Sequence, residues 1–192
     1  AGLNLESAID LMKIMSKENT CFTIDVLGEE INDIDEARYF MNEYSRVLDL
    51  IVSNQIDANI SLKPTALGLL IDKEVALSNI EEIMEKAALN DIFVRLDMED
   101  HRVTKETIEV VLEMQKKGFQ NIGTVLQGRL FRTKEDIIKA ISIINKKKFA
   151  GFIDPGSFFG HNEMEVAYLR WFNPPFIDSL FLEKYNNHIN GY

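Results

Sequence analysis

At 192 residues, 46% of them hydrophobic and 27% charged, the chain has the composition of an ordinary folded protein and the length of one domain, which excludes disordered and fibrous classes. Its formal net charge of -10 repels phosphate backbones and anionic lipid, and no cation cluster larger than Lys146, Lys147 and Lys148 interrupts that field, so no nucleic-acid partner is expected. The single cysteine has no internal disulfide partner, nothing reads as a secretion signal, and no apolar run approaches the roughly 20 residues of a membrane-crossing helix, so the expected setting is cytoplasmic, with at most peripheral contact to an inner membrane.

From Asn4, a candidate N-cap, the positions Leu5, Ala8, Ile9, Met12 and Met15 fall on one helical stripe. The period then changes: Phe22 to Gly28 is short, β-rich and closed by glycine, and reads as a buried strand. Asp33 and Glu36 have cap-like spacing ahead of Ala37, Phe40, Met41, Tyr44, Val47, Leu48 and Ile51, a long amphipathic helix. The unit repeats. Asn59 to Lys63 is a second strand, stopped by Pro64, and the next helix is predicted to carry a capping box at Ser78 and Glu81 before Ile83, Met84 and Ala87. Ile92 to Asp97 is a third strand, leading to a helix capped near Thr104 and stopped at Lys116, Lys117 and Gly118. Asn121 to Gln127 is the fourth, and Thr133 and Asp136 open a helix that ends in the three lysines.

Strand followed by helix, four times at roughly 30 to 35 residues, implies a parallel sheet built by right-handed crossovers. A doubly wound sheet carries a glycine-rich phosphate turn after its first strand, whereas Leu27-Gly28-Glu29-Glu30 puts two carboxylates there. The fold class expected is therefore α/β, a partial (βα)8-type TIM barrel of about four units plus an irregular tail, since a closed barrel takes about 250 residues. The domains divide as 1–147, the half barrel, and 148–192, a divergent tail.

In βα barrels the chemistry sits at the C-terminal ends of the strands, which here carry Lys63, Asp97 and Gln127: a cation, an anion and a two-sided amide. The residues alone leave several readings open. Lys63 and Asp97 could form an ion pair that only neutralises two half-buried charges. Lys63 could equally serve as a Schiff-base lysine with Asp97 shuttling protons, which would make the protein a lyase.

The same strand ends carry a resemblance. Ile60-Ser61-Leu62-Lys63 with Ala66-Leu67-Gly68, then Val94-Arg95-Leu96-Asp97-Met98-Glu99-Asp100, then Val125-Leu126-Gln127 with Leu130-Phe131-Arg132-Thr133, resemble successive signatures of the proline dehydrogenase family, and Asp25 to Glu29 resembles its first barrel strand. The likeness spans residues 3–141, in order and with matching spacing. It implies a distorted βα barrel holding FAD and oxidising L-proline to 1-pyrroline-5-carboxylate, with electrons passing on to a quinone-type acceptor. By the same resemblance Lys63 holds the substrate carboxylate, Asp97 is the active-site aspartate, Met98 lines the flavin and Gln127 hydrogen-bonds the isoalloxazine.

Beyond residue 144 the family's arginine-bearing strand, Thr-His-Asp run and paired-arginine helix are not recognisable, and Gly128-Arg129 departs from its usual tyrosine-containing stretch. Phe149 to Asp154 has the pattern of a fifth strand without the cations, and the chain opens on Ala1 rather than Met, which points to a piece of something longer. A catalytically silent fragment or interaction module is the rival expectation. His161, Glu163 and Glu165 read as solvated loop side chains, so no metal is expected. Four parallel strands leave two open edges, and the apolar segment around Trp171, Phe172, Pro174 and Pro175 caps one more easily than two, so self-association is expected.

Overall fold

The computed structural model describes residues 4–99, 101–127, 131–133 and 135–136, with the backbone of 152–154. It divides into a first compact unit, Ala1–Leu126, and a second, Gln127–Tyr192. Of the helix predicted from Thr133 through Ile144, Thr133, Glu135 and Asp136 are described and are helical, while its remainder, the Gly128-Arg129 departure and the tail around His161 and Trp171 lie outside the described residues; of the proposed fifth strand, Phe152–Asp154 is a strand, β5, of the second unit.

The first unit runs α1 (Leu5–Ser16), β1 (Phe22–Asp25), α2 (Glu36–Ser53), β2 (Ala58–Leu62), α3 (Lys73–Ala88), β3 (Val94–Leu96), α4 (Thr104–Lys117) and β4, which extends from Ile122 to Gln127, the first residue of the second unit. Each strand pairs in parallel with the next in chain order. A doubly wound sheet would reverse that order part-way, so the sequential pairing is that of a barrel segment.

The register explains the core. Ile24, Ile60, Val94 and Ile122 stand level across the four strands, as do Leu62 and Leu96 one pleat further. Ile60, Leu62, Val94, Leu96 and Ile122 are fully buried together with Tyr44, Leu48, Ile80, Met84 and Met114 from the helices. Each such aliphatic side chain contributes about 1.5–3 kcal/mol by leaving water. The intervening positions form a second row, Asp25, Ser61 and Arg95, which the pleat turns to the opposite face. One face of the sheet is thus apolar toward the helices, and the other carries charge.

Helix ends follow local chemistry, with three departures from the sequence pattern. Asn4 caps α1 as predicted, its side chain accepting from Ser7 N at 2.9 Å. In α2 the cap residue is Asp35, but Glu36 still reaches back, accepting from Asp33 N at 3.0 Å and Asn32 N at 3.2 Å. α3 starts well before Ser78: Asp72 is the cap, accepting from Glu74 N and Val75 N, because the apolar stripe already begins at Ala76 and Leu77. Ser78 and Glu81 lie inside the helix. α4 takes Val103 as its cap residue and Thr104 as its first helical residue, and it stops, as predicted, at Gly118 with φ 110°. β1, β3 and β4 are also shorter than predicted, whereas β2 keeps its predicted length shifted by one residue. β2 ends one residue before Lys63, where Pro64 forces the chain to turn, although Asp97 N still donates to Leu62 O at 2.8 Å.

Candidate active site

The residues that follow β2 and β3 continue the pleat of Ser61 and Arg95, so Lys63 and Asp97 emerge on the charged face of the sheet. The structure brings them together: Lys63 Nζ lies 3.6 Å from Asp97 Oδ2. It also reaches Glu29 Oε1 at 3.1 Å and Asp25 Oδ2 at 3.6 Å, so the lysine head sits among three carboxylates. Its side chain is only 14% exposed, whereas that of Glu29 is 62% exposed.

Asp97 is held from beneath. Arg95 Nε stands 3.2 Å from Asp97 Oδ1, and the same oxygen accepts from Ser61 Oγ. Arg95 Nη2 donates to Ser61 Oγ at 2.9 Å, which closes a triangle of three side chains. Below Asp25, the buried Tyr44 hydroxyl stands 3.0 Å from Ser61 O and 3.3 Å from Asp25 Oδ1. On the outer side, Glu99 accepts from both the amide and the hydroxyl of Thr65. Met98, between the two acidic residues, is buried.

These contacts set the protonation states. Burial on its own would lower the Lys63 pKa, but the hydrogen bond to Glu29 and the charges of Asp25 and Asp97 outweigh it and hold the ammonium above its ordinary value. Burial raises Asp25, with Lys63 pulling the other way and the like charge of Asp97 adding to the rise. Glu99 is raised by burial against the two Thr65 hydrogen bonds. Burial, then the charge of Asp25, lifts the Tyr44 phenol far above its usual range, so it remains a donor.

A profile described as proline dehydrogenase matches residues 8–151 of the chain. The chain belongs to the proline dehydrogenase family. That match runs past residue 141, where the sequence signatures end. Proline dehydrogenase 1 of Bacillus subtilis subsp. natto is 35% identical over 139 residues, covering 72% of this chain and 46% of that protein. Proline dehydrogenase of Deinococcus radiodurans is 29% identical over 140 residues, with coverage of 71% and 45%. The chain therefore spans about half the length of the curated relatives it matches. Among solved structures, proline utilization A from Bdellovibrio bacteriovorus, inactivated by N-propargylglycine, superposes with a TM-score of 0.68 at 24% identity, over 77% of this chain and 18% of that one. Proline utilization A from Bradyrhizobium japonicum gives 0.61 at 17% identity, over 79% and 17%. These likenesses establish a proline dehydrogenase-type barrel fold.

Of the residues singled out in the sequence, Lys63 and Asp97 meet and Met98 adjoins them, while Gln127 belongs to the second unit, where its carbonyl accepts from Thr133 Oγ1. Asp25, Ser61, Arg95, Tyr44, Thr65 and Glu99 were not singled out. A signal for three of them was present: Ser61-Leu62-Lys63 and Arg95-Leu96-Asp97 alternate polar and apolar, as Asp25 does after Ile24, and the pleat sends the polar members to one face. Among the described residues no group of His, Cys, Asp and Glu forms a metal site, and no helix is long and apolar enough to cross a membrane.

Proposed function

We propose that this chain carries the first half of a flavin-dependent site for oxidation of L-proline to 1-pyrroline-5-carboxylate, with Lys63 as the cation for the substrate carboxylate. The observation that carries the reading is the largely buried Lys63 ammonium just past β2, within 3.6 Å of an aspartate held in place by Arg95 and Ser61. A fixed cation is what a carboxylate substrate requires. Glu29, exposed on its loop, is the one of the three partners that an incoming carboxylate displaces at least cost. Asp25 and Asp97 remain to balance the ammonium and to face the secondary amine of proline.

For FAD, the resemblance assigns the flavin-lining place to Met98, which is buried next to Asp97, and the isoalloxazine hydrogen bond to Gln127. Bound FAD would supply a hydride acceptor for the substrate carbon and a route for electrons to a quinone-type acceptor. The protein's part is to bind proline by its carboxylate and to orient it. The lyase reading is disfavoured, because a Schiff-base lysine needs a free amine, and the surroundings of Lys63 favour its protonated form. The half barrel is taken as residues 1–147, with 148–192 as a tail; self-association, through a strand edge left uncovered or through the segment around Trp171 and Phe172, and a cytoplasmic setting complete the proposal.

The test is direct. Purified chain reconstituted with FAD should show a protein-bound flavin spectrum and proline-dependent dye reduction. Lys63→Met should raise the proline KM, and Asp97→Ala should reduce turnover by about a hundredfold, as loss of a placed charge at a reacting centre does. Wild-type turnover in Asp97→Ala would show that the aspartate has no part in the reaction.

A further inference from the structure

Three successive strand-to-helix loops each contribute one charged residue to the Lys63 cluster: Glu29 after β1, Lys63 after β2 and Asp97 after β3. At its start the third loop keeps one backbone bond to the second strand, Asp97 N to Leu62 O at 2.8 Å. Farther along, all three loops are stitched by one side-chain relay through Thr65. Glu30 N donates to Thr65 Oγ1 at 3.1 Å, Thr65 Oγ1 donates to Glu99 Oε1 at 2.5 Å, and Thr65 N donates to Glu99 Oε2 at 2.9 Å. Every capacity of the hydroxyl that the geometry needs is used: its one proton goes to Glu99 and its lone pair takes the amide of Glu30.

The relay meets each loop within two residues of the functional side chain. Glu30 follows Glu29, Thr65 lies two past Lys63, and Glu99 lies two past Asp97. Thr65 is buried, and the adjoining Ala66 and Leu67 are fully buried, so the middle of the relay is anchored in the core. We propose that Thr65 and Glu99 are positioning residues, whose relay fixes the spacing of Glu29, Lys63 and Asp97 and so holds the Lys63 head inside its ring of carboxylates. Neither side chain has to touch substrate. That the held ammonium serves proline binding rests on the reading of Lys63 given above, but the relay itself stands on geometry alone.

The chain as it is, without flavin or proline, suffices for the test. Trace acylation with acetic anhydride, read by mass spectrometry, gives the reactivity of Lys63 relative to the exposed Lys13. Thr65→Val preserves shape and removes both hydroxyl bonds, while Thr65→Ser restores them. Thr65→Val should raise Lys63 acylation by about threefold, the change in free amine that accompanies half a unit of pKa. Thr65→Ser should match wild type, and amide exchange at Glu30 and Thr65 should quicken in Thr65→Val while that of Ile60 and Val94 does not. Glu99→Gln, which leaves one acceptor oxygen for the two Thr65 donors, should behave as Thr65→Val does and provides the measurement if the latter fails to fold. Wild-type acylation of Lys63 in a folded Thr65→Val or Glu99→Gln variant would overturn the proposal, as would Thr65→Ser behaving like Thr65→Val. Since no step uses flavin, the relay can fail while the proline reading survives, and the reverse.

Discussion

Arg95 grips Asp97 from the neighbouring pleat: its Nε lies 3.2 Å from Asp97 Oδ1 while its Nη2 donates to Ser61 Oγ, so one guanidinium braces two side chains on adjacent strands. Lysine cannot reproduce that fork. Arg95→Lys should lower stability by about 1–3 kcal/mol, the cost of breaking hydrogen bonds to a charged group in a half-buried place. Denaturant titration of the two proteins measures it, and a loss within error of zero would mean that Ser61 and Lys63 fix the carboxylate without Arg95.

Tyr44→Phe isolates a hydroxyl without disturbing the packing of the ring. The tyrosine is fully buried and its OH lies within reach of Ser61 O and Asp25 Oδ1. Its removal should cost about 1–2 kcal/mol, because acceptors in a buried place lose their donor. Equilibrium unfolding gives the number, and in flavin-loaded enzyme the substitution should leave a smaller mark on turnover than Asp97→Ala.

The pH dependence of stability should show Asp25. Its folded-state pKa is raised by burial, so its contribution is fully present below the ordinary carboxylate range and is lost as pH rises through the folded value. An asparagine side chain at that position cannot titrate. The stability of Asp25→Asn relative to wild type should therefore increase between about pH 4, the usual aspartate value, and neutrality. Unfolding curves at several pH values decide this, and a difference that stays flat or shrinks with rising pH would contradict the burial of the charge.

Helix α3 gives a paired comparison. Asp72→Ala should destabilise by about 1 kcal/mol, the usual worth of a side-chain cap, while Ser78→Ala should stay within about 0.5 kcal/mol of wild type, as a substitution inside a helix. Thermal unfolding of both variants would show whether the helix begins at Lys73; equal losses would restore Ser78 as a start signal.

The repeating strand and helix pattern was legible because each strand buries Ile, Leu or Val and each helix carries an apolar stripe, as Ile60, Leu62, Ile80 and Met84 show. Cap positions were less so, since Ser78-Glu81 and Asp72 offer the same local chemistry and only the burial of Ala76 and Leu77 decides between them. At the site, Lys63 and Asp97 stood out as charges terminating apolar strands. Their supports did not, because Ser61 and Arg95 gain meaning only from the register that sets them level, and Thr65 and Glu99 only from a contact 34 residues apart in the chain.

A similar separation recurs through the fold and has a kinetic consequence. Ser61 meets Asp97, Lys73 meets Glu109 and Glu81 meets Lys117 across intervals of 36 residues, and Glu30 meets Thr65 across 35. Each of these partners arrives one strand-helix unit later. The entropy lost in closing such an interval is nearly constant from step to step, so strands can dock one after another as the polypeptide leaves the ribosome, each on a template completed just before it. Within the first unit, no strand has to search farther than the one completed just before it.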